Sequence, residues 1–317
     1  MAKRAATESA SVDKRLGARR RKAANGGKRM SSDRPVHRKP EISMQTVGWQ
    51  TYRTAIWRAE KRTAERPLLF FNGIGANLEL IQPLADAMTE RDIITFDMPG
   101  VGGSPAPVIP YRAWGACYTA ATILDRFGFG DVDVLGVSWG GAMAQQFALQ
   151  YRRRTKKLIL AATSMGMVMV PGNYDVLSKM ATPQRYTDPE YMMKNFEKLY
   201  GDDPDMHGRH RVHITPPTVR GYVYQLLAMI GWTSAPFLPF LSTPTLVLTG
   251  DKDRIVPAIN GRMMHKLLPN SELYNVKGGG HLFIVSRLAE IMPVMREFLA
   301  APPAANKAYR APKAAVA

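Results

Sequence analysis

The sequence contains a single cysteine, Cys117, and no apolar run long enough to cross a bilayer as a helix. One cysteine excludes an internal disulfide and is compatible with a reducing compartment. Cys117 lies in an apolar stretch of helical periodicity, which favours a buried small side chain over a reactive thiol. Residues 1–40 also lack the apolar segment of a secretory signal. Together these absences predict a cytoplasmic protein.

Acidic residues are scarce, with 26 Asp and Glu against 43 Lys and Arg, which gives a net charge of +17. Residues 1–40 alone carry +10, and residues 301–317 add +3 in a low-complexity tail. Because 1–40 has almost no large apolar residues, we predict a disordered basic tail. The alternative is an electrostatic tether to an anionic partner such as nucleic acid, phospholipid or an acidic protein. The absence of interleaved aromatic residues argues against direct nucleic-acid recognition.

Between the tails, short apolar runs alternate with helical patterns, which predicts an α/β fold with a mostly parallel central sheet and helices on both faces. The predicted strands are a hairpin within 42–59, then 68–71, 93–96, 132–137, 158–162, 245–249 and 273–276. The predicted helices are 78–88, 114–127, 142–151, 258–268 and 286–299. Residues 166–238 break this alternation with several prolines and helix-like pieces. We therefore predict a core of 41–165 and 239–300, interrupted by a helical lid at 166–238 that lies over the strand ends.

The stretch at 132–146 combines an apolar strand with a following helix, and Ser138 stands between them. Gly136 and Gly140 flank this serine in the pattern G-x-S-x-G. In this setting the pattern predicts a sharp, strained turn that presents the serine hydroxyl at the edge of the sheet. Ser138 is the candidate nucleophile.

A serine nucleophile needs a base, and the base needs an orienting acid. In α/β folds with this strand–serine–helix turn, the acid follows the serine along the chain and the histidine base follows the acid. Asp253 and Asp251 both follow a predicted strand, and the loop pattern favours Asp253 as the acid. Asp251 is expected to make a turn bond to the backbone. For the base, three glycines precede His281, whereas His265 lies within a helical pattern. His281 is therefore the predicted base.

Acyl transfer also needs donors for the developing oxyanion. One predicted donor is the backbone N–H of Trp139, at the start of a helix. The other is the N–H of Ile74, in a glycine-containing loop in which Asn72 and Gly73 are candidate substrate-binding residues; the alternative for this loop is a plain turn.

The lid is rich in methionine, since 165–238 holds 8 of the 18 methionines, including Met165 and Met167. These two are candidate contacts for variable alkyl chains, and the alternative is that the methionines pack the lid onto the core. The lid also contains His207, His210 and His213, but flanking glycine and proline favour a flexible loop over a metal site. We expect no metal and no cofactor.

Several longer stretches carry a more specific resemblance. They are LLFFNGIGANLELIQPLADAM (68–88), FDMPGVGGS (96–104), LGVSWGGAMAQQFALQY (135–151), LILAATSMGMVMVPG (158–172), GWTS (231–234) and TLVLTGDKD (245–253). These stretches resemble the intracellular poly(3-hydroxyalkanoate) depolymerases of the α/β-hydrolase superfamily, and most closely the medium-chain-length type. The basic residues 1–40 have no counterpart in that pattern, and residues 184–230 match it weakly.

The resemblance implies an α/β-hydrolase fold and hydrolysis of ester bonds in a stored polyester at the surface of a cytoplasmic granule. It implies Ser138 as nucleophile, Asp253 as orienting acid and His281 as base, with oxyanion donors at Ile74 and Trp139. Two alternatives stay open beside it. One is a small-molecule carboxylesterase or carbon–carbon bond hydrolase of the same fold, and the other is a non-catalytic granule-binding protein.

Overall fold

The computed structural model describes residues 37–61, 64–182, 190 and 215–301. Residues 1–36 and 302–317, which make up most of the tails predicted at 1–40 and 301–317, lie outside the described residues, as do the three histidines of the lid. The boundaries predicted for the lid and the tails therefore stay predictions.

Eight strands form one sheet in the order β1-β2-β4-β3-β5-β6-β7-β8. The strands are β1 (Glu41–Val47), β2 (Gln50–Trp57), β3 (Leu68–Phe71), β4 (Ile93–Phe96), β5 (Val132–Val137), β6 (Thr155–Ala161), β7 (Thr245–Gly250) and β8 (Ser271–Val276). β1 pairs with β2 and β2 with β4 antiparallel, and all later pairings are parallel. The predicted mostly parallel sheet is confirmed.

The described helices follow the strands along the chain. They are α1 (Gln82–Ala87), α2 (Ala113–Arg126), α3 (Trp139–Gln150), α4 (Tyr174–Ala181), α5 (Val219–Met229), α6 (Ile259–Leu267), α7 (Phe283–Ser286) and α8 (Leu288–Ala300). Short 3-10 turns occupy Leu78–Ile81 and Leu238–Phe240. No helix among the described residues has the length and apolar character needed to cross a membrane.

The sheet is covered on both faces because successive strand residues point to opposite sides. Leu69 and Phe71 pack in one cluster with residues of α2 and α3. Leu68 and Phe70 pack in the other, with residues of α1 and α8. The strands β3, β4, β5 and β7 are buried along their whole length, which explains why they read as continuous apolar runs.

β6 begins three residues earlier than its apolar run predicts, since it includes Thr155 and Lys157. The Lys157 side chain is buried because its ammonium donates hydrogen bonds to the carbonyls of Phe298, Leu299 and Ala301. These carbonyls lie at the end of α8, where the helix dipole favours a positive charge. A lysine that reads as a strand end therefore fixes the last helix to the sheet.

The described part of the lid adds no strand to the sheet and contributes α4 and α5. Isolated bridges join Met165 to Val168 and Gly166 to Thr233 at the base of the lid. Because β3, β5, β7 and β8 run parallel, the loops after them share one edge of the sheet. The candidate catalytic residues and Ile74 belong to those loops, Trp139 begins the helix after β5, and Met165 and Met167 follow β6.

Candidate active site

Ser138 occupies the turn between β5 and α3 with φ 55° and ψ −121°, a conformation that strains a residue with a side chain. Its backbone is held on both sides. The N–H of Ser138 donates to the carbonyl of Ala161 at 2.9 Å, and its carbonyl accepts from the Thr163 hydroxyl at 2.7 Å. The strained turn predicted from the sequence is present.

The two glycines of the turn allow a close approach of backbone to backbone. A Cβ at Gly136 would overlap the carbonyl of Gly140, and a Cβ at Gly140 would overlap the carbonyl of Phe71. The start of α3 therefore lies against the end of β3. This contact explains why the helix begins at Trp139, three residues before its apolar periodicity predicts, in spite of two glycines in its first turn.

The structure brings Ser138, His281 and Asp253 together. His281 Nε2 lies 3.0 Å from Ser138 Oγ, and His281 Nδ1 lies 2.8 Å from Asp253 Oδ2. The side chains of His281 and Asp253 are 5% and 0% exposed, so their hydrogen bond is shielded from water. Because a carboxylate only accepts, Nδ1 carries the hydrogen and Nε2 presents its lone pair to the serine hydroxyl.

The geometry separates the two candidate acids. The second oxygen of Asp253 accepts from the N–H groups of Ile255 and Val256, both at 2.9 Å, which fixes the carboxylate toward His281. Asp251 accepts from the N–H of Gly278 at 2.7 Å, a bond to the backbone of the loop after β8 in place of the local turn bond expected of it. The alternative histidine, His265, lies on α6 and contacts the Ser271 hydroxyl at 2.9 Å.

The loop after β3 lies beside the serine. A Cβ built on Gly73 would be 3.9 Å from the Cβ of Ser138. Both ends of the Asn72 amide are occupied within the loop, since Nδ2 donates to the carbonyl of Asn77 and Oδ1 accepts from the N–H of Gly73. In this structure Asn72 shapes the loop.

Neither predicted oxyanion donor has a hydrogen-bond acceptor among the described residues. Trp139 is the first residue of α3, so its N–H has no acceptor within the helix. Nor does the N–H of Ile74 meet an acceptor in the described chain, although its neighbours Gly73 and Gly75 both donate to side-chain oxygens. Of the N–H groups at 73, 74 and 75, only that of Ile74 has no acceptor among the described residues.

A family model for the alpha/beta hydrolase fold matches residues 66–288. The chain belongs to the α/β-hydrolase family. Poly(3-hydroxyalkanoate) depolymerase from Ectopseudomonas oleovorans is 44% identical to it over 255 residues, which cover 79% of this chain and 89% of the relative. The resemblance found in the sequence motifs is thereby confirmed.

Solved α/β-hydrolase structures share the fold at low identity. A thermophilic esterase from Thermogutta terrifontis is 22% identical with a TM-score of 0.67, covering 83% of this chain and 98% of the esterase. The esterase EaEST from Exiguobacterium antarcticum is 18% identical with a TM-score of 0.69, covering 83% and 100%. At these identities the comparison shows the α/β-hydrolase fold alone.

The two methionines predicted to contact substrate differ in position. Met165 is 1% exposed and packs in a core cluster, whereas Met167 is 69% exposed on the lid. For Met165 the structure shows the packing alternative. Met167 lies on the surface, where its N–H donates to the carbonyl of Trp232, next to the Gly166–Thr233 bridge.

A buried carboxylate lies in the loop region next to the site. Burial raises the pKa of Asp97 to about 6, and the N–H groups of Gly103 and Leu78, with the Arg53 guanidinium, counteract that rise. Its oxygens accept from Leu78 at 2.7 Å and from Gly103 at 3.0 Å. Asp97 thus holds together the loops after β3 and β4.

Sequence reasoning missed Gln225 of α5. Its side-chain oxygen accepts from the N–H of Gly75 at 2.9 Å, and its carbonyl accepts from the indole N–H of Trp139 at 3.0 Å. Its position gave a usable signal, because Gly221, Gln225 and Ala228 form the buried face of α5. A lone amide on such a face usually has a specific partner.

The described residues contain no group of three or more His, Cys, Asp or Glu side chains placed to hold a metal ion. The free thiol of Cys117 lies on the buried face of α2, in the core. The buried position predicted for it is confirmed.

Proposed function

We propose that this α/β-hydrolase is a poly(3-hydroxyalkanoate) depolymerase that cleaves polyester bonds through an acyl-enzyme on Ser138. The observation that carries the chemistry is the hydrogen-bonded chain from Ser138 Oγ to His281 and on to Asp253, with 3.0 and 2.8 Å contacts. The 44% identical depolymerase supports the class of substrate.

The geometry supports the following reaction. Ser138 Oγ attacks the ester carbonyl while His281 Nε2 takes its proton, and the resulting oxyanion accepts from the N–H groups of Ile74 and Trp139. Collapse breaks the ester bond, and His281 returns the proton to the departing alcohol oxygen of the polymer. His281 then deprotonates a water that attacks the acyl-enzyme. The product acid leaves, and the same proton restores the Ser138 hydroxyl.

Ser138→Ala tests the nucleophile, with Ser286→Ala as a matched control at a serine outside the hydrogen-bonded chain. Turnover is measured on dispersed polyester and on a soluble p-nitrophenyl ester. We expect Ser138→Ala to lose both activities while keeping the fold, and Ser286→Ala to keep both. Full turnover by Ser138→Ala, or a failure of a serine-directed fluorophosphonate to label the parent, would show that the fold acts without this nucleophile.

The two substrates also separate the depolymerase from a small-molecule esterase. A depolymerase releases hydroxyacids from dispersed medium-chain polyester, whereas an esterase cleaves only the soluble ester. Comparing short-chain with medium-chain polyester then tests the medium-chain-length type.

We also propose that the enzyme works at the surface of a cytoplasmic polyester granule and that residues 1–40 contact an anionic partner there. The +10 charge of that segment supports the second statement. Binding to isolated granules is compared for the full chain and a chain that starts at residue 37, at low and high salt. Salt-sensitive binding that only the full chain shows supports the tether, and equal binding at all salt concentrations contradicts it.

A further inference from the structure

The lid helix α5 is attached to the core at both of its ends. Near its start, the N–H of Thr218 donates to the carbonyl of Gly100 at 2.7 Å, and a Cβ on either Gly100 or Gly221 would collide with the other backbone. Near its end, Arg112 donates to the carbonyls of Leu227 and Ile230 at 3.2 and 3.0 Å. The helix therefore has a defined position on the core.

Gln225 lies between these attachments, fully buried, and bonds two separate loops of the core. Its side chain accepts from the N–H of Gly75, the residue after Ile74. Its carbonyl accepts from the indole N–H of Trp139. Ile74 and Trp139 carry the two N–H groups that the reaction needs for its oxyanion, so one lid residue contacts both halves of that site.

The bond to Gly75 also orients the peptide next to Ile74. Gly75 has a φ of 68°, the left-handed conformation, in the turn that follows Ile74. The turn is also closed by the Ala76 N–H, which donates to the carbonyl of Gly73 at 3.2 Å, and by the Asn72 amide. Without an acceptor at Gly75, the peptide between Ile74 and Gly75 loses this hydrogen bond to the lid, and a change in its tilt alters the direction of the neighbouring Ile74 N–H. Oxyanion donors must be held in place before the reaction, because reorganisation during the reaction costs rate.

Packing alone does not explain a glutamine at this position. The Nε2 of Gln225 is buried and meets no acceptor among the described residues. An unpaired buried amide nitrogen costs stability, which an apolar side chain of similar size would avoid. What an apolar side chain cannot supply is the acceptor for Gly75.

We propose that Gln225 is a positioning residue that sets the geometry of the oxyanion site from the lid. This inference rests on the proposed acyl transfer at Ser138. It predicts that the lid helix is part of the catalytic apparatus through its contacts with Gly75 and Trp139, without itself touching the reacting atoms.

The test compares Gln225→Ala with Gln145→Ala on a soluble p-nitrophenyl ester. Gln145 is also a fully buried glutamine that ties the lid base to the core, since its Oε1 accepts from the Ser234 hydroxyl at 2.6 Å. Displacing a catalytic group by about 1 Å can cost up to about 100-fold in rate. We therefore expect kcat of Gln225→Ala to fall about 10- to 100-fold with little change in KM. Gln145→Ala is expected to lose stability while keeping kcat within about threefold of the parent.

The affinity for a boronic acid inhibitor is a second measurement, and a loss of stability alone does not change it. The tetrahedral adduct of the inhibitor with Ser138 presents an oxyanion-like oxygen, so its affinity should fall in Gln225→Ala by about the same factor as kcat. Gln225→Glu keeps an acceptor oxygen at the same reach and should recover most of the loss. Where Gln225→Ala does not fold, Trp139→Phe removes the indole donor while keeping an aromatic side chain and the backbone N–H, and it is expected to lower kcat and boronate affinity together.

Three results would overturn the inference: a folded Gln225→Ala with kcat within about threefold of the parent, a loss of kcat without loss of boronate affinity, or an equal loss in Gln145→Ala. Failure of the proposed function is distinguishable. If the enzyme cleaves the soluble ester but not the polyester, the proposed substrate is wrong and the role of Gln225 can still be tested. If Ser138→Ala keeps full activity, the proposed acyl transfer at Ser138 is wrong.

Discussion

Asp253 and His281 share a 2.8 Å hydrogen bond across 28 residues of chain, with both side chains almost entirely removed from water. Asp251, only two residues from Asp253, bonds the N–H of Gly278. The same loop therefore supplies one carboxylate to the histidine and another to the adjoining turn.

Asp253→Asn should lower kcat by about 10³- to 10⁴-fold on a soluble ester. The amide retains an oxygen for Ile255 and Val256, which leaves its nitrogen facing His281 Nδ1. Two donors cannot share that contact, so the imidazole adopts the tautomer with hydrogen on Nε2, where it cannot accept the Ser138 proton.

Asp251→Asn is the matched control, because the asparagine oxygen can still accept from Gly278. We expect its kcat to stay within about threefold of the parent. The assignment of roles is contradicted when the two variants lose activity equally or when Asp251→Asn loses more.

Ser138→Gly should be more stable than Ser138→Ala by about 1 kcal/mol, although neither variant hydrolyses ester. At φ 55° and ψ −121° a Cβ is strained, and glycine relieves the strain. Denaturant unfolding of both variants measures the difference.

The control for that comparison is Ala142→Gly within α3, where glycine should lower the free energy of unfolding by about 1 kcal/mol. Equal stability of Ser138→Gly and Ser138→Ala would mean that the turn stores no strain in the backbone.

The stability contributed by Asp97 should fall as the pH rises from about 4 to about 6. Burial raises the pKa of Asp97 to about 6 in the folded chain, so the folded state binds this proton more tightly than the unfolded state does. Above pH 6 the folded state carries the cost of the buried charge, an effect of up to about 3 kcal/mol.

The measurement is the difference in the free energy of unfolding between the parent and Asp97→Asn at pH 4.5 and pH 7. As the pH rises, the free energy of unfolding of the parent should fall relative to that of Asp97→Asn. Asp131→Asn removes an exposed carboxylate and controls for the change in net charge. A difference that is constant, or that shifts in favour of the parent, contradicts the prediction.

Cys117 should not react with a thiol reagent in the folded protein. Burial raises the pKa of the Cys117 thiol well above its usual value, so both access and thiolate are lacking. With Ellman's reagent at pH 8, we expect the native chain to release almost no coloured thiolate from the reagent. After unfolding in denaturant, we expect one reactive thiol per chain. Stoichiometric labelling of the native chain would show that α2 opens readily.

The position of the candidate site on the fold could be predicted from local sequence. Gly136, Ser138 and Gly140 stand between an apolar strand and a helix, and this pattern is determined by steric requirements within about ten residues. The same holds for the strands β3, β4, β5 and β7, whose apolar runs reflect burial on both faces of the sheet.

Predictions failed or were missing where the partner is distant in sequence. Lys157 reads as a polar strand end, yet its ammonium is satisfied by carbonyls about 140 residues later. Gln225 reads as a minor polar interruption of an apolar helix, yet its acceptor meets Gly75 across 150 residues.

The sequence by itself determined the order of strands and helices, the strained serine turn and a short set of possible partners for it. Only the tertiary structure decided which aspartate reaches His281 and that α5 of the lid bonds both loops beside Ser138. The physical reason is that strand periodicity and turn sterics act between neighbours in the chain. Side-chain direction in a loop, and contact between distant loops, depend on how the whole sheet brings its strand ends to one edge.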